Sequence, residues 1–169
     1  MYRPKPEETL PYFHHYISLV QDGNIVEILK NNQAEIQNLI KNIPSDKAEY
    51  RYAEGKWSVK ELLMHLMDTE RIMTYRALRF VRNDKTDLVG FDENTYAPMA
   101  NAENRTLIDI AAEFQAVRNA TIAMVKHFTI EMMDRSGTSN GGSCSVRGLI
   151  YIVAGHELHH RNILEERYL

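Results

Sequence analysis

The stretch Ser145–Leu164, SVRGLIYIVAGHELHHRNIL, contains His156-Glu157-Leu158-His159-His160, which spells H-E-x-x-H, the helical signature of zinc proteases. In that signature two histidines four residues apart hold zinc and the intervening glutamate acts as general base. A catalytic zinc also needs a third protein ligand. Only nine residues, Arg161 to Leu169, follow the motif. Their sole candidates, Glu165 and Glu166, lie too close along the same helix to complete the cage. The third ligand has to come from upstream.

On a helical wheel at about 100° per residue, with His156 at the origin, His160, Leu149, Val153 and Ile163 all fall within about 60° of it. Both histidines therefore sit in the apolar, inward stripe. Glu157 and His159 fall on opposite flanks. A neutral imidazole inside an apolar stripe must satisfy two ring nitrogens, and a metal ion would do so for a pair one turn apart.

Upstream, Trp57–Phe80, WSVKELLMHLMDTERIMTYRALRF, places His65 among Leu62, Leu63, Met64, Leu66 and Met67, so it too points inward. The other histidines read differently. His127 lies at a helix C-terminus, where positive charge is favourable. His14 and His15 belong to an N-terminal segment expected to be extended or irregular, with surface or packing roles. A histidine on one helix facing an i, i+4 pair on another is how bundles build metal sites.

Four segments carry helical periodicity, with breakers between them. The first runs from about Asn24 to Ile43 and stops at Pro44. The second starts at Ser58, capped with Glu61, and reaches about Arg82. The third spans about Thr106 to Phe128, with Thr106 and Asp109 placed to cap. The fourth runs from about Ser145 to Arg167. No stretch alternates strictly between hairpin turns, so no sheet is expected. The expected fold is all-α: a four-helix bundle forming a single domain over residues 1–169. Its second and third helices are joined by a long loop, Asn83 to Arg105, of the kind that covers a site. RSGTSNGGSCS, before the fourth helix, reads as a flexible loop.

Twenty Lys and Arg against 23 Asp and Glu leave a net charge of −3, which gives no electrostatic reason to expect nucleic acid or an anionic membrane. One cysteine excludes an intramolecular disulfide and fits a reducing compartment. The start, MYRPKPEETL, has charges and prolines where a signal peptide has an apolar core, and no apolar run approaches spanning length. A soluble cytoplasmic protein is expected. The sequons at Asn104 and Asn119 are read as chance matches.

GKWSVKELLMHLMDTERIMTYRALRF, followed some ninety residues after His65 by SVRGLIYIVAGHELHHRNIL, resembles the DinB/YfiT-like family of metal-binding four-helix bundles. The loop sequence GFDENTYA and the helix order extend the resemblance over nearly the whole chain. It implies a metal held by His65, His156 and His160, the same triplet reached from the wheel, so the H-E-x-x-H string is not that of a protease. Three neutral histidines leave coordination positions open. The family resemblance points to activation of either a water, as in hydrolases, or a low-molecular-weight thiol, as in S-transfer or isomerisation, with a small-molecule substrate. The all-histidine donor set suits several transition metals, and zinc or nickel is expected.

Around that triplet the alternatives stay open. Glu157 is either a base or ligand-orienting group, or a flank carboxylate paired with Arg161. Asp68 is a hydrogen-bond acceptor for an imidazole or one half of an edge salt bridge. Arg76 meets an anionic substrate or closes the Glu70/Glu157 side of the bundle. His159 binds substrate or a neighbouring helix, or is simply a partly buried flank residue. Trp57 reads as a plug at the bundle end and Cys144 as an exposed thiol. Tyr151 and Leu158, opposite the metal stripe, form a second apolar face that packs within the chain or meets a second subunit in a homodimer. Besides a metalloenzyme, the sequence admits a non-catalytic metal-binding or stress-related bundle, or a metal-free one whose histidines satisfy each other.

Overall fold

The computed structural model describes residues 2–169. Four long helices form the bundle: α2 (Ile25–Asn42), α3 (Val59–Val81), α5 (Leu107–Val125) and α7 (Val146–Ile163). Three short helices accompany them, α1 (His14–Leu19), α4 (Glu93–Tyr96) and α6 (Ile130–Asp134). The boundaries follow the capping signals. Ser58 Oγ accepts from Glu61 N at 3.2 Å while Glu61 Oε2 accepts from Ser58 N at 2.7 Å. Thr106 and Asp109 repeat this box, and Ser145 Oγ accepts from Gly148 N at 2.9 Å. Each satisfies donors that a helix start leaves free.

α3 packs against α7 and α5, and α2 packs against the same pair. The apolar interior falls into two clusters. One gathers Ile25, Leu29, Met73, Phe80, Val125 and Ile150, the other Ile36, Ile40, Leu63, Met67, Phe114 and Leu164. All four long helices pass from one cluster to the other across a buried polar layer, where Asn32, Glu70, Arg118 and Glu157 lie.

Three expectations are corrected. RSGTSNGGSCS is not a flexible loop but carries a hairpin, β1 (Ser136–Ser139) antiparallel to β2 (Gly142–Ser145), with Ser139 opposite Gly142. Its two-residue turn, Asn140 and Gly141, has φ of 52° and 73°, the left-handed pair that matches strand twist. Cys144 lies in β2 and is buried rather than exposed, and burial pushes its thiol up to about 12. The N-terminal segment is not irregular: α1 lies directly across α7. The crossing is so close that a Cβ on Gly155 would sit 1.9 Å from the Tyr16 carbonyl oxygen.

α1 also settles the second face of α7. Tyr151 is buried and the partly buried Leu158 packs against the same core cluster as Ile17 and Val20, so this face packs within the chain. The long loop after α3 is tied down: Leu88 N donates to Thr138 O at 3.0 Å and Asn140 N to Leu88 O at 2.8 Å. No helix of the described residues is long and apolar enough to cross a membrane.

Candidate metal centre

His65 projects from α3, and His156 and His160 from successive turns of α7. Their ligand atoms lie within 4.8 Å of one another. His65 Nε2 is 3.0 Å from His156 Nε2, and His160 Nε2 is 3.1 Å from the same atom. His65 and His156 are buried and His160 half-buried.

This convergence is poorly explained by hydrogen bonding alone. A neutral imidazole nitrogen offers either one N–H or one lone pair, so His156 Nε2 cannot satisfy two approaching Nε2 atoms. His160 Nδ1 is buried without a partner. The spacing fits a transition-metal ion, because two nitrogens at about 2.0–2.1 Å from a tetrahedral zinc are about 3.3 Å apart. Burial lowers the pKa of His65 to about 4 and that of His160 to about 3, and it drives His156 well below its ordinary value. All three are therefore neutral at pH 7, the form that binds metal.

The same shifts predict how the metal-free protein responds to acid. Unfolded histidines titrate at 6.5, so below that pH the unfolded chain binds protons that the folded chain does not. Stability then falls as pH drops from about 6.5 towards 4 and is level above that window. Thermal melts of chelator-treated protein are expected to show this slope, and a His65→Leu/His160→Leu variant a shallower one. Equal slopes would contradict the buried neutral cluster.

Two aromatic residues flank the cluster. The Trp57 ring lies 4.6 Å from the His65 ring, so Trp57 packs on the candidate site as well as closing the bundle end. The Tyr16 ring touches both His156 and His159 edge-on, at 5.4 and 5.2 Å. A cavity of about 220 Å³ borders His160 and is lined by Tyr52, Trp57, Asn94 and Tyr168 among others. Asn94 belongs to α4, so the long loop forms part of this wall. A larger groove of about 870 Å³, running from Gln37 to Lys60 and Ala111, contains no histidine, and its size alone gives it no claim to the chemistry.

Glu157 does not face the cluster and does not pair with Arg161, which instead meets Glu35 at 2.5 Å. Its carboxylate lies 2.6 Å from Arg118 Nη2, an ion-pair contact off the hydrogen-bonding direction, since neither oxygen completes a well-directed bond. Burial raises its pKa against the pull of Arg118. Arg118, on α5, is fully buried. It also binds Glu70 of α3 in a fork, Nε and Nη2 each at 2.9 Å, and donates Nη1 to Leu29 O of α2 at 3.2 Å. One guanidinium thus links all four long helices beside His156. Burial pulls its pKa down, but the two carboxylates outweigh this and hold it above its ordinary value.

The remaining expected positions lie elsewhere. Asp68 pairs loosely with Arg71 at 3.8 Å at the helix edge and makes no hydrogen bond to an imidazole among the described residues. Arg76 is buried and donates to Val89 O at 3.1 Å, anchoring the long loop; the Glu70/Glu157 side is closed by Arg118. His159 faces His15 of α1. Neither Arg118 nor Tyr16 is assigned a role at the site by the sequence alone.

The family model described as the DinB superfamily matches residues 28–164. The chain belongs to the DinB superfamily. Among its relatives, a protein of Oceanobacillus iheyensis with the provisional name metal-dependent hydrolase OB0413 is 26% identical over 139 residues, 80% of this chain and 76% of that protein. Among solved structures, YfiT from Bacillus subtilis, described as "a probable metal-dependent hydrolase with an unusual four-helix bundle topology", superposes with a TM-score of 0.77 at 14% identity. The match covers 98% of this chain and 90% of YfiT. The mycothiol-dependent maleylpyruvate isomerase matches with a TM-score of 0.64 at 9% identity, over 90% of this chain and 60% of the isomerase. At these identities the two structures establish a shared fold. In this DinB chain the histidine cluster is the candidate site for a metal ion.

Proposed function

We propose that this DinB protein is a divalent-metal-dependent hydrolase acting on a small molecule, with His65, His156 and His160 as the metal ligands and zinc or nickel as the metal. The observation that carries this reading is the pair of Nε2 atoms directed at the single Nε2 of His156, at 3.0 and 3.1 Å. Three neutral protein ligands leave positions for water or substrate. A bound divalent cation supplies Lewis acidity, which makes a water, or a thiol, nucleophilic near neutral pH.

The chain's own residues shape the space around it. Trp57 and Tyr52 wall the cavity beside His160 with aromatic surface, and Asn94 offers an amide to orient a polar group. Burial holds the Tyr16 hydroxyl protonated far above neutral pH, so it serves as a hydrogen-bond donor rather than a base. The contact of Glu157 with Arg118 argues against the general-base role of the protease-like string.

Activation of a low-molecular-weight thiol is the alternative, supported by the shared fold with the mycothiol-dependent isomerase. The two separate in one experiment: turnover of small ester, amide and phosphoester substrates by stripped, zinc-loaded and nickel-loaded protein, with and without added thiol. Hydrolysis restored by metal and reduced about 100-fold or more in His156→Ala supports the hydrolase. Turnover that requires the thiol assigns the alternative. Activity indifferent to both metal and His156→Ala removes the metal from the reaction.

A further inference from the structure

We propose that His15 and His159 form a second, outer site for a divalent transition cation, on the solvent side of the three-histidine cluster. The residues are 144 positions apart in sequence, yet His15 Nε2 lies 3.3 Å from His159 Nδ1. Their rings are edge-on, with centroids 5.2 Å apart and planes at 87°. This is the separation expected of two nitrogens bound to one metal ion.

The pair is held in place by the backbone. α1 can approach α7 this closely only because residue 155 has no side chain, which fixes the helix carrying His15 against the one carrying His159. Among the described residues neither ring has another hydrogen-bond partner. His14, next in sequence, turns its Nε2 to Pro6 O at 3.1 Å and takes no part. Among the described residues no carboxylate or cation pairs with either ring. His15 is exposed and His159 partly so, so water can fill the remaining coordination positions.

Imidazole donors select zinc, nickel or copper over magnesium and calcium. With two protein ligands against three, the outer site is the weaker and faster-exchanging of the two. It is also contiguous with the inner cluster: the His159 ring lies 5.0 Å from the His160 ring, and Tyr16 touches His159 and His156 together.

Equilibrium dialysis of the full chain against nickel at pH 7.5, with bound metal measured per chain, tests the proposal for wild type, His15→Ala, His15→Gln, His159→Asn and the double variant His65→Ala/His156→Ala, which leaves a single histidine in the inner cluster. The expected result is two equivalents for wild type and one for each variant. His65→Ala/His156→Ala keeps the outer ion, whereas the His15 and His159 variants keep the inner one. Far-UV circular dichroism verifies that the variants remain folded, and His15→Gln retains a polar side chain at the position. Equal binding by wild type and both His15 variants overturns the outer site, whatever happens at the inner cluster. A wild type that holds a single equivalent, lost in His15→Ala but kept in His65→Ala/His156→Ala, leaves the outer site standing and removes the inner one.

Discussion

Gly155→Ala is expected to destabilise the protein by about 3 kcal/mol or more, at the upper end of the overpacking range. The added Cβ would lie 1.9 Å from the Tyr16 carbonyl oxygen and 2.4 Å from its carbonyl carbon. Both partners are backbone, so no rotamer change relieves the clash, and α1 must lift from α7. That exposes Ile17 and Val20, which are buried in the core, and separates His15 from His159. Urea unfolding gives the stability change, and histidine resonances report whether His15 and His159 still meet. A variant with the wild-type midpoint and an intact His15–His159 contact would show that the crossing is looser than described.

The second large effect is expected at Arg118. Arg118→Met removes the guanidinium that pairs with both Glu70 and Glu157 in the polar layer and leaves two buried carboxylates near one another. Breaking a buried ion pair from one side costs about 3–5 kcal/mol. Since protonation of the stranded carboxylates relieves this, the deficit is expected to shrink as pH falls and to be largest at neutral and alkaline pH. Adding Glu70→Gln and Glu157→Gln to Arg118→Met should recover much of the loss. Urea unfolding of the single and triple variants at pH 5 and pH 8 measures both effects. An Arg118→Met protein within about 1 kcal/mol of wild type would mean that the triad contributes little to the bundle.

The bundle was largely legible because its long helices announce themselves locally. Ser58 with Glu61, Thr106 with Asp109, and Ser145 mark helix starts within three residues of sequence, and the apolar stripes extend over many turns. The histidine triplet was legible for a related reason: His65, His156 and His160 interrupt apolar stripes with a group that needs partners. Arg118 left a similar trace that went unread. It falls between Phe114 and Val125 in the stripe of its helix, but a lone arginine is usually solvated, and its partners lie 48 and 39 positions away in sequence.

The hairpin was missed although Asn140-Gly141 is a strong turn signal, because the serines and glycines around it lack the apolar alternation that marks a strand. α1 is six residues long, too short for a period to show. What brings its Tyr16 and His15 to the site is Gly155, whose need for close approach becomes visible only when two distant segments are placed together. Trp57 read as a bundle plug because, although it stands only eight residues before His65, the non-helical backbone ahead of Val59 that turns its ring onto the histidine carries no period.

His65, His156 and His160 are expected to hold a metal ion. The most direct test is elemental analysis of untagged protein purified without added metal, for wild type beside His65→Ala and His156→Ala. Close to one tightly held equivalent of a transition metal, zinc or nickel, is expected in the wild type after dialysis, with its loss in both folded variants. A wild type that remains empty after zinc and nickel are offered, or variants that retain the metal in full, would contradict it.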